Sequence, residues 1–350
     1  MTDADRRLPG LLLTVLLVAG CTGAAPAHDS GVTTTARASA AAFLTRYVDP
    51  DGRVVRRDQG DDSVSEGVSY ALLLAQVTGD QRTEGLVWEW AKASMRRPDG
   101  LLAFLVGPDG RVKDPQAATD ADLAVAWALQ RSRLADLRAA AAPLLAAVRE
   151  RTVVRRPPGP LLSAGPWATG EPATLNPSYW VLPALRATGA DDLADRVPAA
   201  LDALGGRDAL PPDWARLDGT RLRPSADPAG RFPQARYGLD AQRAVVWLAT
   251  DCDDDNRARA ASHRPLLADR PEASARLLDG TVLDPTPHPL PLVAAAAAAG
   301  AAGDRAERDR LLDEAAAQDQ RSPTYYGAAW VALGRALLQT TILDPCKERP

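Results

Sequence analysis

Histidine, cysteine and aromatic side chains are all scarce in this chain of 350 residues, and each scarcity closes a route to function. The three histidines, His28, His263 and His288, form neither HxxEH nor HExxH, so zinc hydrolysis and a serine–histidine triad are poorly supported. No basic block is present, and 41 basic against 45 acidic residues leave a net charge of −4, which argues against nucleic acid as a partner. Multiple long apolar runs are missing, which excludes a multi-span membrane protein. Alternating Val/Ile/Thr patterns are almost absent, which removes most sheet-based folds. What remains is a globular composition, 46% hydrophobic and 25% charged, with carboxylates as the chief supply of acid and base groups.

Arg6 and Arg7 precede a short apolar run, Leu11 to Val18, and then Ala19-Gly20-Cys21, the layout of an export signal over residues 1–20. A cysteine directly after small residues resembles the lipobox of bacterial lipoproteins. That resemblance implies a lipid on Cys21 and attachment to the outer face of the cell membrane, the alternative being plain secretion. Residues 21–35 lack apolar periodicity and read as a flexible tether, leaving 36–345 as one domain, expected to be a monomer. Export would place Cys252 and Cys346 in an oxidising compartment where they can form one disulfide. Asp251, Asp253, Asp254 and Asp255 lack the glycine and terminal glutamate of an EF-hand and read as a solvated acidic turn.

Apolar periodicity predicts twelve helices, at about 36–48, 66–78, 83–95, 119–131, 134–150, 178–188, 192–204, 240–250, 257–269, 288–300, 304–318 and 325–339. Short connections at Gly79-Asp80, Gly189-Ala190 and Gly303-Asp304 alternate with long Gly/Pro-rich ones, 98–118 and 151–176 among them. If consecutive helices are antiparallel, the long connections open on one end, and every second helix starts there. The pattern predicts an all-α toroid of six inner and six outer helices, a solenoid of hairpins being the alternative. The inner ring would be 66–78, 119–131, 178–188, 240–250, 288–300 and 325–339.

The starts of those helices hold the candidate chemistry. Glu66 follows Ser65, a pairing that capping alone explains. Asp120 and Asp122 follow Thr119, and because residues two apart do not share a helix face they should do different jobs, one in the cleft and one bracing backbone. Asp240 and Arg243 share a face, and Tyr70, Tyr179, Tyr325 and Tyr326 sit at or beside the same rim. Carboxylates with flat aromatic rings describe a carbohydrate cleft, in which rings stack on sugar faces and paired acids transfer protons.

Ser65-Glu66-Gly67-x-Ser69-Tyr70, Ala118-Thr119-Asp120-Ala121-Asp122-Leu123, Asn176-Pro177-Ser178-Tyr179 and Asp240-Ala241-x-Arg243 resemble, in order and spacing, glycoside hydrolase family 8. The resemblance spans about 36–340 and implies an (α/α)6 barrel and an inverting, endo-acting hydrolase of β-1,4-linked polysaccharide. Cellulose-like glucan is the expected substrate, with chitosan and xylan as variations and no cofactor. It also implies Glu66 as general acid, Asp240 as general base and Asp120 as the carboxylate that holds a distorted sugar; Tyr70, Asp122, Tyr179, Arg243, Tyr325 and Tyr326 are the candidate substrate contacts. Phe104 and Leu239 depart from the family, which commonly has tryptophan at the first position and an aromatic at the second. Seventeen aromatics in all, 5% of the chain, are sparse for a long polysaccharide cleft, so a shorter or charged glycan remains open. A catalytically inactive glycan-binding lipoprotein and a polysaccharide lyase are the competing readings. The lyase would need cationic clamps where this rim carries carboxylates.

Overall fold

The computed structural model describes residues 27–347; the predicted signal and Cys21 lie outside that range. Helices α1 (Ala27–Tyr47), α2 (Ser65–Thr78), α3 (Gln81–Ser94), α4 (Thr119–Arg131) and α5 (Ala135–Thr152) alternate between outer and inner positions. They are followed by α6 (Leu182–Ala187), α7 (Asp191–Ala194), α8 (Val197–Gly205) and α9 (Leu239–Ala249), then α10 (Asp254–Ser262) and α11 (Arg264–Leu267). The chain ends with α12 (Pro289–Ala301), α13 (Arg305–Arg321) and α14 (Tyr325–Gln339). The inner helices close a ring, with α2 on α4, α4 on α6, α6 on α9, α9 on α12, α12 on α14 and α14 back on α2. This is the (α/α)6 barrel. Every residue from Thr119 to Leu129 in α4, and from Pro289 to Ala299 in α12, is buried, so over these spans the helices have no solvent-facing side.

Three expected helices are broken, each by a proline that fits only in a first turn. Pro183 restarts the third inner helix after a 3₁₀ turn at Pro177–Tyr179, and Pro198 and Pro265 divide the fourth and fifth outer helices. The tether expected over 21–35 is helical from Ala27. Extending a nucleated helix adds one bond per residue, and Gly31 and the threonines after it do not overcome that gain.

Strands also form where none was expected. Among the described residues ten short ones lie in the long connections: β1 (Ser63–Val64), β2 (Leu105–Val106), β3 (Val112–Asp114), β4 (Val153–Arg156), β5 (Gly159–Leu162), β6 (Ala173–Leu175), β7 (Trp214–Asp218), β8 (Arg221–Ser225), β9 (Ala273–Arg276) and β10 (Val282–Pro287). They pair antiparallel, and two of the sheets, β1-β2-β3 and β6-β7-β8, each join two successive connections. Helix starts are tied to these sheets: Ser65 N donates to Phe104 O at 3.0 Å and Thr119 N to Ala164 O at 3.1 Å. All the strands thus stand on the rim where the inner helices begin. The opposite end has tight turns, with Gly79, Gly189 and Gly303 at φ of 78°, 71° and 84°.

Asp122 proves to be the bracing member of its pair, not a substrate contact. It is buried, and its Oδ1 accepts from Leu102 N at 2.9 Å, fixing the Leu101–Phe104 segment beside the cleft. The acidic turn after α9 is likewise not simply solvated. Asp251 is buried against Arg186 Nε at 3.1 Å and Asn256 Nδ2 at 2.6 Å, while Asp253 caps α10. Cys252 in this turn is bridged to Cys346, 94 residues away.

Replacing both bridged cysteines by serine should lower unfolding free energy by about 2–4 kcal/mol. Denaturant melts that coincide with those of the oxidised protein would refute this. Burial pushes the Asp122 carboxyl well above the usual carboxylate range, against the Leu102 amide that favours its anion. Such a group contributes stability in full below its unfolded value, about 3.9, and loses it as pH climbs toward the folded one. Asp122→Asn keeps the acceptor for Leu102 and has no charge to bury, so its melting temperature should gain on the wild type between pH 4 and pH 8. A constant difference across that range would contradict the burial argument.

Candidate active site

Glu66, Asp120 and Asp240 occupy the same place in their helices, the second residue of α2, α4 and α9. The residues before these helices, Val64, Ala118 and Gly238, offer no side-chain cap. Helices that start on one rim of a ring aim equivalent positions toward one axis, and here the three carboxylates meet at Arg243. Its Nη1 donates to Glu66 Oε1 at 2.7 Å and to Asp120 Oδ2 at 2.6 Å; its Nη2 donates to Asp240 Oδ1 at 3.2 Å and Ser178 Oγ at 2.9 Å. The Arg243 and Asp120 side chains are each 3% exposed, whereas Glu66 is 21% and Asp240 30% exposed, so two of the acids reach solvent and one does not.

The surrounding bonds fix this arrangement. Asn176 Nδ2 donates to the second Asp240 oxygen at 3.2 Å, and Asn176 Oδ1 accepts from the Ser178 hydroxyl at 2.7 Å. Trp247 Nε1 holds Ser178 O at 3.0 Å. Tyr70 donates a long bond of 3.4 Å to Glu66 Oε1, and the Tyr179 ring lies 5.4 Å from the guanidinium. Burial pushes the Asp120 carboxyl up to about 7; Arg243 opposes this, and the charges of Glu66 and Asp240 add to it. Asp120 Oδ1 is buried without a hydrogen-bond partner among the described residues.

Above this floor opens a cleft of about 670 Å³, lined by Glu66, Tyr70, Tyr179, Asp240 and Tyr326 together with side chains from the connections. Phe104 and Leu239, the two family departures, both face it. Tyr325 lines it too but is 2% exposed and packed with Phe43 and Tyr47, so it supports the wall and offers no open face. The structure adds residues that sequence reasoning missed. Trp167 is 44% exposed in the cleft and pinned through Nε1 to Ala117 O at 3.2 Å, and Trp214 lies 6.1 Å from Tyr179, edge to face. A tryptophan inside an irregular Gly/Pro-rich connection was the available signal. The two cations of the lining are committed to acids, Arg56 to Asp62 and Arg231 to Asp227. No group of three or more His, Cys, Asp or Glu suited to a metal occurs among the described residues.

The chain is similar to known glycoside hydrolases in sequence and fold. An endoglucanase of Xanthomonas axonopodis pv. citri (strain 306) is 36% identical over 241 residues, 62% of this chain and 61% of the relative. An endoglucanase of Cellulomonas uda is 31% identical over 227 residues, 59% of this chain and 61% of the relative. The chain thus spans about three fifths of the length of these relatives. The crystal structure of a family 8 endoglucanase from Klebsiella pneumoniae superposes with a TM-score of 0.70 at 25% identity, covering 85% of this chain and 97% of that one. A β-1,3-1,4-glucanase from Paenibacillus sp. X4 shares the fold, with a TM-score of 0.77 at 16% identity, over 89% of this chain and 92% of that one. The family model described as glycosyl hydrolases family 8 matches residues 25–338, and the chain belongs to that family.

Proposed function

We propose that the chain is an inverting, endo-acting hydrolase of β-1,4-linked polysaccharide, of the cellulose-like glucan class, with Glu66 as general acid and Asp240 as general base. One observation carries this reading: a single buried guanidinium binds both partly exposed carboxylates at the floor of an open cleft. Inversion needs two carboxyl groups roughly 6.5–9.5 Å apart, far enough to admit a water beside the sugar. Glu66 and Asp240 are bonded to different terminal nitrogens of that guanidinium, so each keeps its own place on the cleft floor.

In the reaction Glu66 gives its proton to the glycosidic oxygen as the bond to the anomeric carbon breaks. Water attacks that carbon from the opposite face, and Asp240 accepts the proton it releases. Asp120 lies beneath these two on the same guanidinium, and its role toward a distorted sugar is proposed from the resemblance to the family. A protonated Glu66 no longer needs Arg243, which still holds Asp120, Asp240 and Ser178. The cationic lining residues are neutralised by acids, which favours a neutral glycan over one bearing uronates. The exposed Trp167 supplies a flat face for a sugar ring. The relatives named endoglucanase support glucan as the polymer.

Glucan, chitosan and xylan offered in parallel, with products followed by NMR, should show glucan cleaved fastest and the α-anomer appearing first. Glu66→Gln and Asp240→Asn should each lower kcat by about 10²- to 10⁴-fold. Early β-anomer, or a Glu66→Gln protein with the wild-type rate, would overturn the assignment.

We propose also that the protein is exported and held to the membrane by lipid on Cys21. The Cys252–Cys346 disulfide supports an oxidising compartment. No helix among the described residues is long and apolar enough to cross a membrane. Cys21→Ser should abolish labelling by a radioactive fatty acid and release the protein from the membrane fraction; label retained on the variant would rule the lipid site out.

A further inference from the structure

Asp213 lies in Pro211-Pro212-Asp213-Trp214, in the long connection just before β7, and nothing in its local sequence marks it as part of the cleft floor. It is nevertheless 5% exposed, and both of its oxygens are engaged at the start of α9. Oδ1 accepts from Gly238 N and from Ala241 N, each at 2.9 Å, and Oδ2 accepts from Arg236 Nε at 3.0 Å. Its own amide donates to Arg236 O at 2.8 Å. The two amides bonded to Oδ1 flank Asp240, one before it and one after it in the chain.

Gly238 is the residue that should cap α9 and has no side chain to do so. Its φ of −111° is open to any residue, so conformational freedom does not explain the glycine. Space does: a Cβ at this position would overlap Asp213 Oδ2. Gly238 and Asp213 therefore form one device, a missing side chain in the helix and a carboxylate delivered into the gap from a distant segment. Tyr237, next in line, is held by reciprocal backbone bonds of 2.9 Å with Arg276, so the approach to the helix is clamped on both sides.

We propose that Asp213 is the positioning residue of Asp240: by stapling the backbone on either side of it, Asp213 sets where the base carboxylate stands relative to the attacking water. Burial and the charge of Asp240 push the Asp213 carboxyl up to about 6, with the Ala241 amide and Arg236 pulling the other way. Nature has thus placed a second acid beside the base despite the repulsion, which a cap needed only for helix stability does not require. The proposal rests on the reading of Asp240 as the base.

Four variants test it: Asp213→Ala, Asp213→Asn, Gly238→Ala and, as reference, Asp240→Asn. Asparagine keeps the oxygen that both amides share, so Asp213→Asn should retain most of kcat. Asp213→Ala should lose about 10- to 100-fold in kcat with KM changed less than about twofold, because misplacing a reacting group is read in the transition state. Gly238→Ala should lose a similar factor with Asp213 intact, which keeps the test open if Asp213→Ala does not fold. Hydrogen exchange at the Gly238 and Ala241 amides should speed up in Asp213→Ala and Gly238→Ala alike. If Asp240→Asn is inactive while folded Asp213→Ala, or Gly238→Ala in its place, keeps the wild-type kcat, the positioning role is overturned. If Asp240→Asn itself keeps full rate, the base assignment fails first, and the two failures are told apart.

Discussion

A guanidinium buried in a ring of helices has to be matched in charge, and much of this molecule follows from how Arg243 is matched. Three carboxylates surround one cation, an excess of negative charge in a place where Asp120 and Arg243 are almost sealed from water. Uncompensated buried charge is costly, and two features of the fold reduce that cost. The carboxylates sit in the first turns of three helices, where the positive ends of the backbone dipoles favour anions. Burial also keeps a proton available near neutral pH, since Asp120 is pushed up to about 7.

The elaborated rim serves that cluster. Sheets that join one connection to the next tie down inner helix starts, and buried side chains such as Asp122 and Asn176 hold backbone or partner groups. Function is therefore divided by depth. The floor is buried and charged, while the walls carry the exposed indole of Trp167 together with Phe104 and Leu239.

Sequence periodicity reached the ring because its signals are local. Thr119–Arg131 and Tyr325–Gln339 begin and end where apolar pattern and helix propensity place them, and Gly79 and Gly303 stop their helices by adopting left-handed φ. The separate faces of Asp120 and Asp122 followed from helix geometry alone. The strands were illegible because two to six residues carry too little alternation to register. The breaks at Pro183, Pro198 and Pro265 had a visible cause that apolar periodicity outweighed. Trp167 and Asp213 lie in irregular connections, where position in space is set by pairing with distant segments and no period reports it.

The outer helix α1 reaches the rim at its last residue, where Tyr47 packs edge to face with Tyr325 at the start of α14. Its first residue, Ala27, therefore stands at the other end of a helix about 30 Å long. Cys346 is fastened to the turn that follows α9, also at the end remote from the rim. Both ends of the fold thus leave from its back. The mouth of the cleft thus lies at the far side of the fold from Ala27 and from the disulfide, so whatever precedes Ala27 leaves the cleft entrance clear.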